Sequence, residues 1–215
     1  MRLVLIAGAL VVLTGCLCSR IEGSGKSARE TRELAPFAVV EVSGVFRVAI
    51  AVATGPAPRV EIEGDDNLLP HVRATVVGDR LTLDLDTWGV SPRLPLVATV
   101  RTPSLRAIEA NGANTVNATG VVGDELAVEA NGSTGIALKG QVGRLRLDLN
   151  GSAEVDALGL VSKSSDVDIA GSGNVVVCAT EKLRIDLSGS GEVAYACEPE
   201  SIEQDITGSG RVVKK

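Results

Sequence analysis

Aromatic side chains are nearly absent from this chain: Phe37, Phe46, Trp88 and Tyr195 make up 2% of its 215 residues. Stacking of bases draws on such rings, so a nucleic-acid reading loses its usual support. Histidine is rarer still, with His71 alone, which argues against the common zinc sites and against nucleophiles activated by histidine. Positive charge is also short. Lys and Arg number 21 against 27 Asp and Glu, and the net charge of -6 removes the simplest electrostatic route to nucleic acid. What is abundant is aliphatic and small. Hydrophobic residues reach 45%, mostly Val and Leu, and glycine occurs 24 times. That mass of apolar surface excludes disorder, and with so much glycine it favours many short strands and tight turns over a helical bundle.

The first residues read as an address. Met1-Arg2 gives a small positive start, and the apolar run Leu3 to Leu13 has the length of a signal-peptide core. It falls short of the ~20 residues a spanning helix needs. The run ends in Leu13-Thr14-Gly15-Cys16, which resembles the lipobox of bacterial lipoproteins. That resemblance implies cleavage before Cys16 and lipid on its sulfur; the alternative is a plain secretory peptide that ends in cysteine. Cys18 lies two residues on, but only Cys16 has a small residue, Gly15, directly before it. Residues 1–15 are thus expected as signal peptide, and residues 16–33, polar and without apolar periodicity, as lipidated cysteine and flexible tether. Residues 34–215 are expected to form one domain.

A repeat decides its fold class. Gly112, Gly132, Gly151, Gly171, Gly189 and Gly208 sit in tight-turn signals spaced 18 to 20 residues apart. A period near 19 is too short for a helical hairpin and suits one coil of a parallel β-solenoid. Four residues after each glycine stand Val116, Ile136, Val155, Val175, Val193 and Val212. Before the glycines alternation is strict: Leu145, Leu147 and Leu149 against Arg146, Asp148 and Asn150. Period two means strands with one buried face, and stacked coils make a continuous aliphatic core. Residues 105–215 are the repeat coils, and Gln204 breaks the inward column of the last one as a more polar end. Residues 34–104 alternate without the period, and Val77-Gly78-Asp79-Arg80 predicts a two-residue hairpin, so this part is expected as a β-meander capping the first coil.

The chain from about Phe37 onward resembles a known family, the auto-transporter adhesin head domains also called GIN domains. The resemblance is carried by Val42-Ser43-Gly44-Val45-Phe46, by Val60-Glu61-Ile62-Glu63-Gly64-Asp65-Asp66-Asn67-Leu68-Leu69 and by Val100-Arg101-Thr102-Pro103-Ser104-Leu105. Ser188-Gly189-Ser190-Gly191 and the stretch from Tyr195 to Pro199 add to it. It implies a β-helical fold in envelope or surface proteins of bacteria, and no demonstrated activity. The chain departs from it by writing Asn-Gly in place of Ser-Gly in its first three coils.

Three residues before each repeat glycine stand Glu109, Glu129, Asp148, Asp168, Asp186 and Asp205. All six are acids and all six should face outward in a row. The bland reading, which we favour, is a solvated acidic face partly neutralised by Arg146 and Arg184. The other is a ladder for Ca²⁺ or a basic partner, since calcium accepts carboxylate and amide oxygens and Asn111, Asn131 and Asn150 stand alongside. Those asparagines either stack as amides or support the turn beside glycine. Cys178 and Cys197 occupy adjacent coils within disulfide reach, which suits an exported chain; free buried thiols are the alternative. His71 reads as a surface or capping histidine.

These observations lead to a lipid-anchored protein of the bacterial cell envelope, on the outer membrane, that meets a surface glycan or protein ligand through its outward faces. No catalysis, cofactor or nucleic-acid partner is expected. A structural or envelope-stress accessory lipoprotein of the periplasm is the rival. A polysaccharide-active β-helix enzyme is more distant, because rung-spaced acids meet the ~5–9 Å requirement of glycoside hydrolysis but nothing marks out one pair.

Overall fold

The computed structural model describes residues 20–55, 57–87 and 89–215. The signal peptide, Cys16 and Cys18 lie outside them. Strands follow one another almost without interruption. The first are β1 (Ile21–Glu22), β2 (Ser27–Glu33), β3 (Val39–Gly44), β4 (Phe46–Val52) and β5 (Arg59–Asp65). After a 3-10 turn at Leu69–His71 come β6 (Val72–Val77), β7 (Arg80–Leu85), β8 (Val90–Ser91), β9 (Leu96–Thr102) and β10 (Ala107–Gly112). The long coil strands are β11 (Thr115–Gly132), β12 (Gly135–Gly151), β13 (Glu154–Gly171) and β14 (Asn174–Gly189). The chain closes with β15 (Glu192–Tyr195), β16 (Ser201–Gly208) and β17 (Arg211–Lys214). Among the described residues no helix is long and apolar enough to cross a membrane.

β10 to β17 wind as a parallel β-solenoid, with about five turns of about 20 residues each. Each long strand bends at a register shift, near Ala118, Ala137 and Asp156, and so contributes to two faces. The first face stacks Val116, Ile136, Val155, Val175 and Val193, all buried. The second stacks Val128, Leu147, Val167 and Ile185, also buried. The glycine corner between the faces has a backbone cause. Gly132 (φ 112°) and Gly171 (φ 138°) adopt positive φ, and a Cβ on them would lie 2.6 Å and 2.3 Å from the carbonyl oxygen of the glycine one coil earlier. That oxygen accepts the next residue's N–H, as Ser133 to Gly112 and Ser172 to Gly151 show at 2.9 and 2.8 Å. A side chain there would break both the turn and the inter-coil bond.

The N-terminal part differs in detail from a simple meander. The hairpin at 77–80 is present, with Val77 opposite Arg80. However, β3 pairs in parallel with β10, and β4 in parallel with β11, so coiling begins at Val39 with Gly44 as its first corner. The antiparallel pairs β2–β5, β5–β9 and β6–β7 are built around that first coil.

The tether expected over 16–33 is corrected by the structure for residues 20–33. β2 runs antiparallel to β5 from Ser27 opposite Asp65 to Glu33 opposite Arg59. Its attachment is polar, which is why apolar periodicity did not signal it. The fully buried Asp65 carboxylate accepts N–H groups from Gly25 (2.7 Å), Arg93 (2.9 Å) and Leu94 (3.0 Å). Burial alone would raise its pKa, but those three donors, with the Arg93 charge, outweigh burial and hold it below the usual carboxylate range. Asn67 adds bonds to Ser24 N and Glu22 O, each 2.8 Å, and Arg29 reaches Glu61 at 3.3 Å and Glu63 at 2.7 Å.

Candidate functional site

The six acids of the repeat stand in unbroken register on the second face. Glu109 lies opposite Glu129, then Asp148, Asp168, Asp186 and Asp205 follow one rung at a time. For the first five, Glu109 to Asp186, the flanking residues are buried, as with Leu147 and Leu149 around Asp148, so strand alternation turns the carboxylates outward, whereas the last strand, with Asp205, is exposed along its whole length. The row extends one rung further than the repeat suggested, because Glu41 on β3 lies opposite Glu109. The rule of three residues before a glycine would have found it, since Glu41 precedes Gly44 by three. It was missed because 68 residues separate it from Glu109.

The electrostatics divide the row. At its start, Arg80 pairs with Glu109 and, at 3.4 Å, with Glu41, and these carboxylates hold its guanidinium more firmly protonated. Further on, Glu129, Asp148, Asp168, Asp186 and Asp205 form no ion pair among the described residues. The neutralisation expected from Arg146 is directed elsewhere: Arg146 faces Glu125 at 3.7 Å. Arg184 does temper its neighbour Asp168. Partial burial, followed by the charges of Asp186 and Asp148, pushes the Asp168 carboxyl above its ordinary range, and Arg184 offsets part of this.

The asparagines soften the row by hydrogen bonding. Asn131 Nδ2 donates to Asn111 Oδ1 at 3.0 Å and to Glu129 Oε1 at 2.9 Å, and Asn150 Nδ2 donates to Asp148 Oδ1 at 3.0 Å. One amide rung therefore forms. The positive φ at these corners falls on the glycines and on no asparagine.

Beside the acids runs a column that alternates in sign: Arg146, Asp166, Arg184 and Glu203. Arg144 bonds Asp166 at 2.7 Å and Lys182 bonds Glu203 at 2.9 Å. Between the two columns lies an open trough of about 300 Å³, with Leu147 and Val167 in its lining. Two separate hollows flank it, one lined by Ala107, Ala127 and Asp148, the other by Arg184, Glu203 and Asp205. Such a trough suits an extended ligand lying along the solenoid axis. It suits a metal ion poorly, since calcium wants six to eight oxygens converging at ~2.3–2.6 Å and these carboxylates are strung out at the ~4.8 Å rung spacing. Among the described residues no three His, Cys, Asp or Glu side chains gather into a group that could hold a metal ion.

The remaining sequence candidates lie apart from this face. Cys178, in β14, and Cys197, just after β15, are joined by a disulfide with Cα atoms 4.8 Å apart. His71 Nδ1 lies 2.9 Å from Asp86 Oδ1 at the open end of the β6–β7 hairpin, a capping position.

Comparison with known proteins agrees with this architecture. A putative adhesin from Bacteroides fragilis superposes with a TM-score of 0.74 at 19% identity, covering 91% of this chain and 100% of that one. A putative adhesin from Parabacteroides merdae gives 0.60 at 19% identity, covering 91% and 99%. A protein from Parabacteroides distasonis described as a putative lipid binding protein gives 0.62 at 18%, covering 91% and 99%. At these identities the likeness is one of fold. No curated protein matches the chain. The family model described as "Putative auto-transporter adhesin, head GIN domain" matches residues 36–199, and the chain belongs to that family.

Proposed function

We propose that the chain is a lipid-anchored protein of the bacterial envelope, held to the outer membrane through Cys16, and that its acid-lined face is what it offers to a surface glycan or protein. One observation carries the reading: five acids in consecutive rungs, Glu129 to Asp205, stand outward beside an open trough without an ion pair among the described residues. Unpaired like charges cost stability, so a run of them kept in register suits contact with basic groups of a partner. The family's description as an adhesin supports a surface role. The function is binding, with no catalytic step.

Three measurements test this. Protease shaving of intact cells should remove the domain; full protection would favour the periplasmic accessory role instead. Cys16→Ser should abolish lipid labelling and membrane retention. In a binding screen of immobilised glycans and matrix proteins, the triple change of Asp148, Asp168 and Asp186 to Asn should weaken any salt-sensitive hit at least tenfold. Undiminished binding would remove the acid face from the function.

A further inference from the structure

The arginines of this acidic chain are not spread evenly. Where β4 and β9 begin, Arg20, Arg47 and Arg93 line one open hollow of about 470 Å³, and among the described residues no acid stands in its lining. Most of the remaining lining is apolar, with Val45, 44% exposed, beside Leu94 and Pro95.

Each arginine is set there by the backbone. Phe46 and Val48 are buried, so alternation along β4 turns Arg47 outward. The buried Asp65 carboxylate takes the N–H groups of Arg93 and Leu94 at 2.9 and 3.0 Å, which fixes the loop that carries Arg93. Arg20 is held by the short parallel pair β1–β8, where Ile21 N donates to Gly89 O at 3.0 Å and Gly23 N to Ser91 O at 2.9 Å. The three charges are little spent. Arg93 lies 3.4 Å from Glu22, but both are largely exposed and such a pair contributes little in water. Arg20 Nε reaches the Val90 carbonyl at 3.4 Å, and neither Arg20 nor Arg47 forms an ion pair among the described residues.

The position in the chain says what covers this hollow. Four peptide steps separate Arg20 from Cys16, at most about 14 Å of extended chain. A lipid on Cys16 therefore keeps the three guanidinium groups within reach of the bilayer surface. Guanidinium forks match phosphate oxygens two at a time, and an apolar floor beneath them suits the boundary between headgroups and acyl chains. The same anionic surface repels the acid row, so the charges favour this end of the domain as the one that lies against it.

We propose that the hollow of Arg20, Arg47 and Arg93 is a membrane-contact site for the phosphate groups of anionic lipids in the bilayer that holds Cys16. The proposal rests on the lipid-anchor reading of that cysteine. Each arginine at an anionic surface favours contact about fivefold, so three favour it on the order of a hundredfold.

The test uses the lipoprotein purified from membranes with its lipid and reconstituted in vesicles. One set is phosphatidylcholine alone, the other 3:1 phosphatidylcholine to phosphatidylglycerol. Phenylglyoxal modification, mapped by mass spectrometry, should proceed at least tenfold more slowly at Arg20, Arg47 and Arg93 in the anionic vesicles. Arg184 and Arg211, in the last coils, should react alike in both, and 0.5 M NaCl should remove the difference. Changing Arg47 and Arg93 together to Gln should cut the protection left at Arg20 to under twofold, with flotation and the circular dichroism spectrum unchanged. Lys at the same two positions should restore it. A protein that floats yet reacts equally in both vesicles overturns the proposal and leaves the anchor standing. Equal protection by inorganic phosphate in neutral vesicles also overturns it, as a site for a soluble anion. A chain without lipid on Cys16 that fails to float removes the anchor itself and the contact with it.

Discussion

Replacing Asp168 by Asn should stabilise the protein. Asp168 sits between Asp148 and Asp186 at one rung on either side, and among the described residues it forms no ion pair. At ~4.8 Å each neighbour costs about 0.9 kcal/mol in water-like dielectric. A Debye length of ~8 Å at physiological salt reduces that to roughly half, so two neighbours together cost about 1 kcal/mol. Because the row is solvent-exposed, this figure already carries the screening such charges experience. Asn keeps the shape and removes the charge, so the gain should be about 1 kcal/mol, or ~2–4 °C in Tm. The pH dependence has a definite sign. The folded-state pKa of Asp168 is raised, by burial first and then by the neighbouring aspartates, so the folded state binds its proton more tightly than the unfolded one. The penalty is absent below the unfolded carboxylate range near pH ~4 and grows as pH rises through the folded pKa. Urea unfolding followed by circular dichroism at pH 3 and pH 7, in low salt and in 0.5 M NaCl, would measure it. The variant should match the parent at pH 3, exceed it at pH 7, and lose most of the gain in high salt. A gain that persists at pH 3, or a variant less stable at pH 7, would refute mutual repulsion along the row.

The same geometry sets other outcomes. Val155→Asp buries an unpaired charge in the first-face stack and should cost several kcal/mol, whereas Asp156→Ala, exposed one residue on, should cost no more than about 0.5 kcal/mol; equal effects on Tm would refute the inward and outward assignment. Asp65→Ala strands the N–H groups of Gly25, Arg93 and Leu94, each worth about 1–3 kcal/mol when left unpaired, and should open residues 20–33 to limited proteolysis. Because the folded pKa of Asp65 is lowered, its contribution is present above the unfolded carboxylate range and lost as pH falls through the folded pKa, so Asp65→Asn should flatten the acid limb of the stability profile. Millimolar calcium should raise Tm no more than NaCl of matched ionic strength; a larger rise, abolished by the triple aspartate-to-asparagine change, would establish a cation site on the row. Peptide mapping without reductant should recover Cys178 and Cys197 in one linked peptide pair, and quantitative alkylation of both would exclude the bond.

Much of the solenoid could be read from the chain because each coil contacts only its neighbours, so a position's role recurs every ~19 residues. Gly112 to Gly208 recur because any Cβ there collides with a carbonyl one coil below. Leu147 and Asp148 differ in fate through strand alternation alone, and the glycine period aligns the six acids in the sequence itself. What lacked a period escaped. The tertiary structure alone decided that Glu41 heads the acid row, that Arg80 neutralises its start, and that Arg146 turns to Glu125 instead of the acids. It alone decided that residues 20–33 fold down onto β5 through Asp65, and that β6 ends the second face among the described residues. Each of these depends on single contacts between residues far apart in the chain, where a polar side chain or a bare peptide group meets a partner that no repeat specifies. Periodic burial is written in the order of residues; a lone hydrogen bond across the fold exists only once the coils have brought its two ends together.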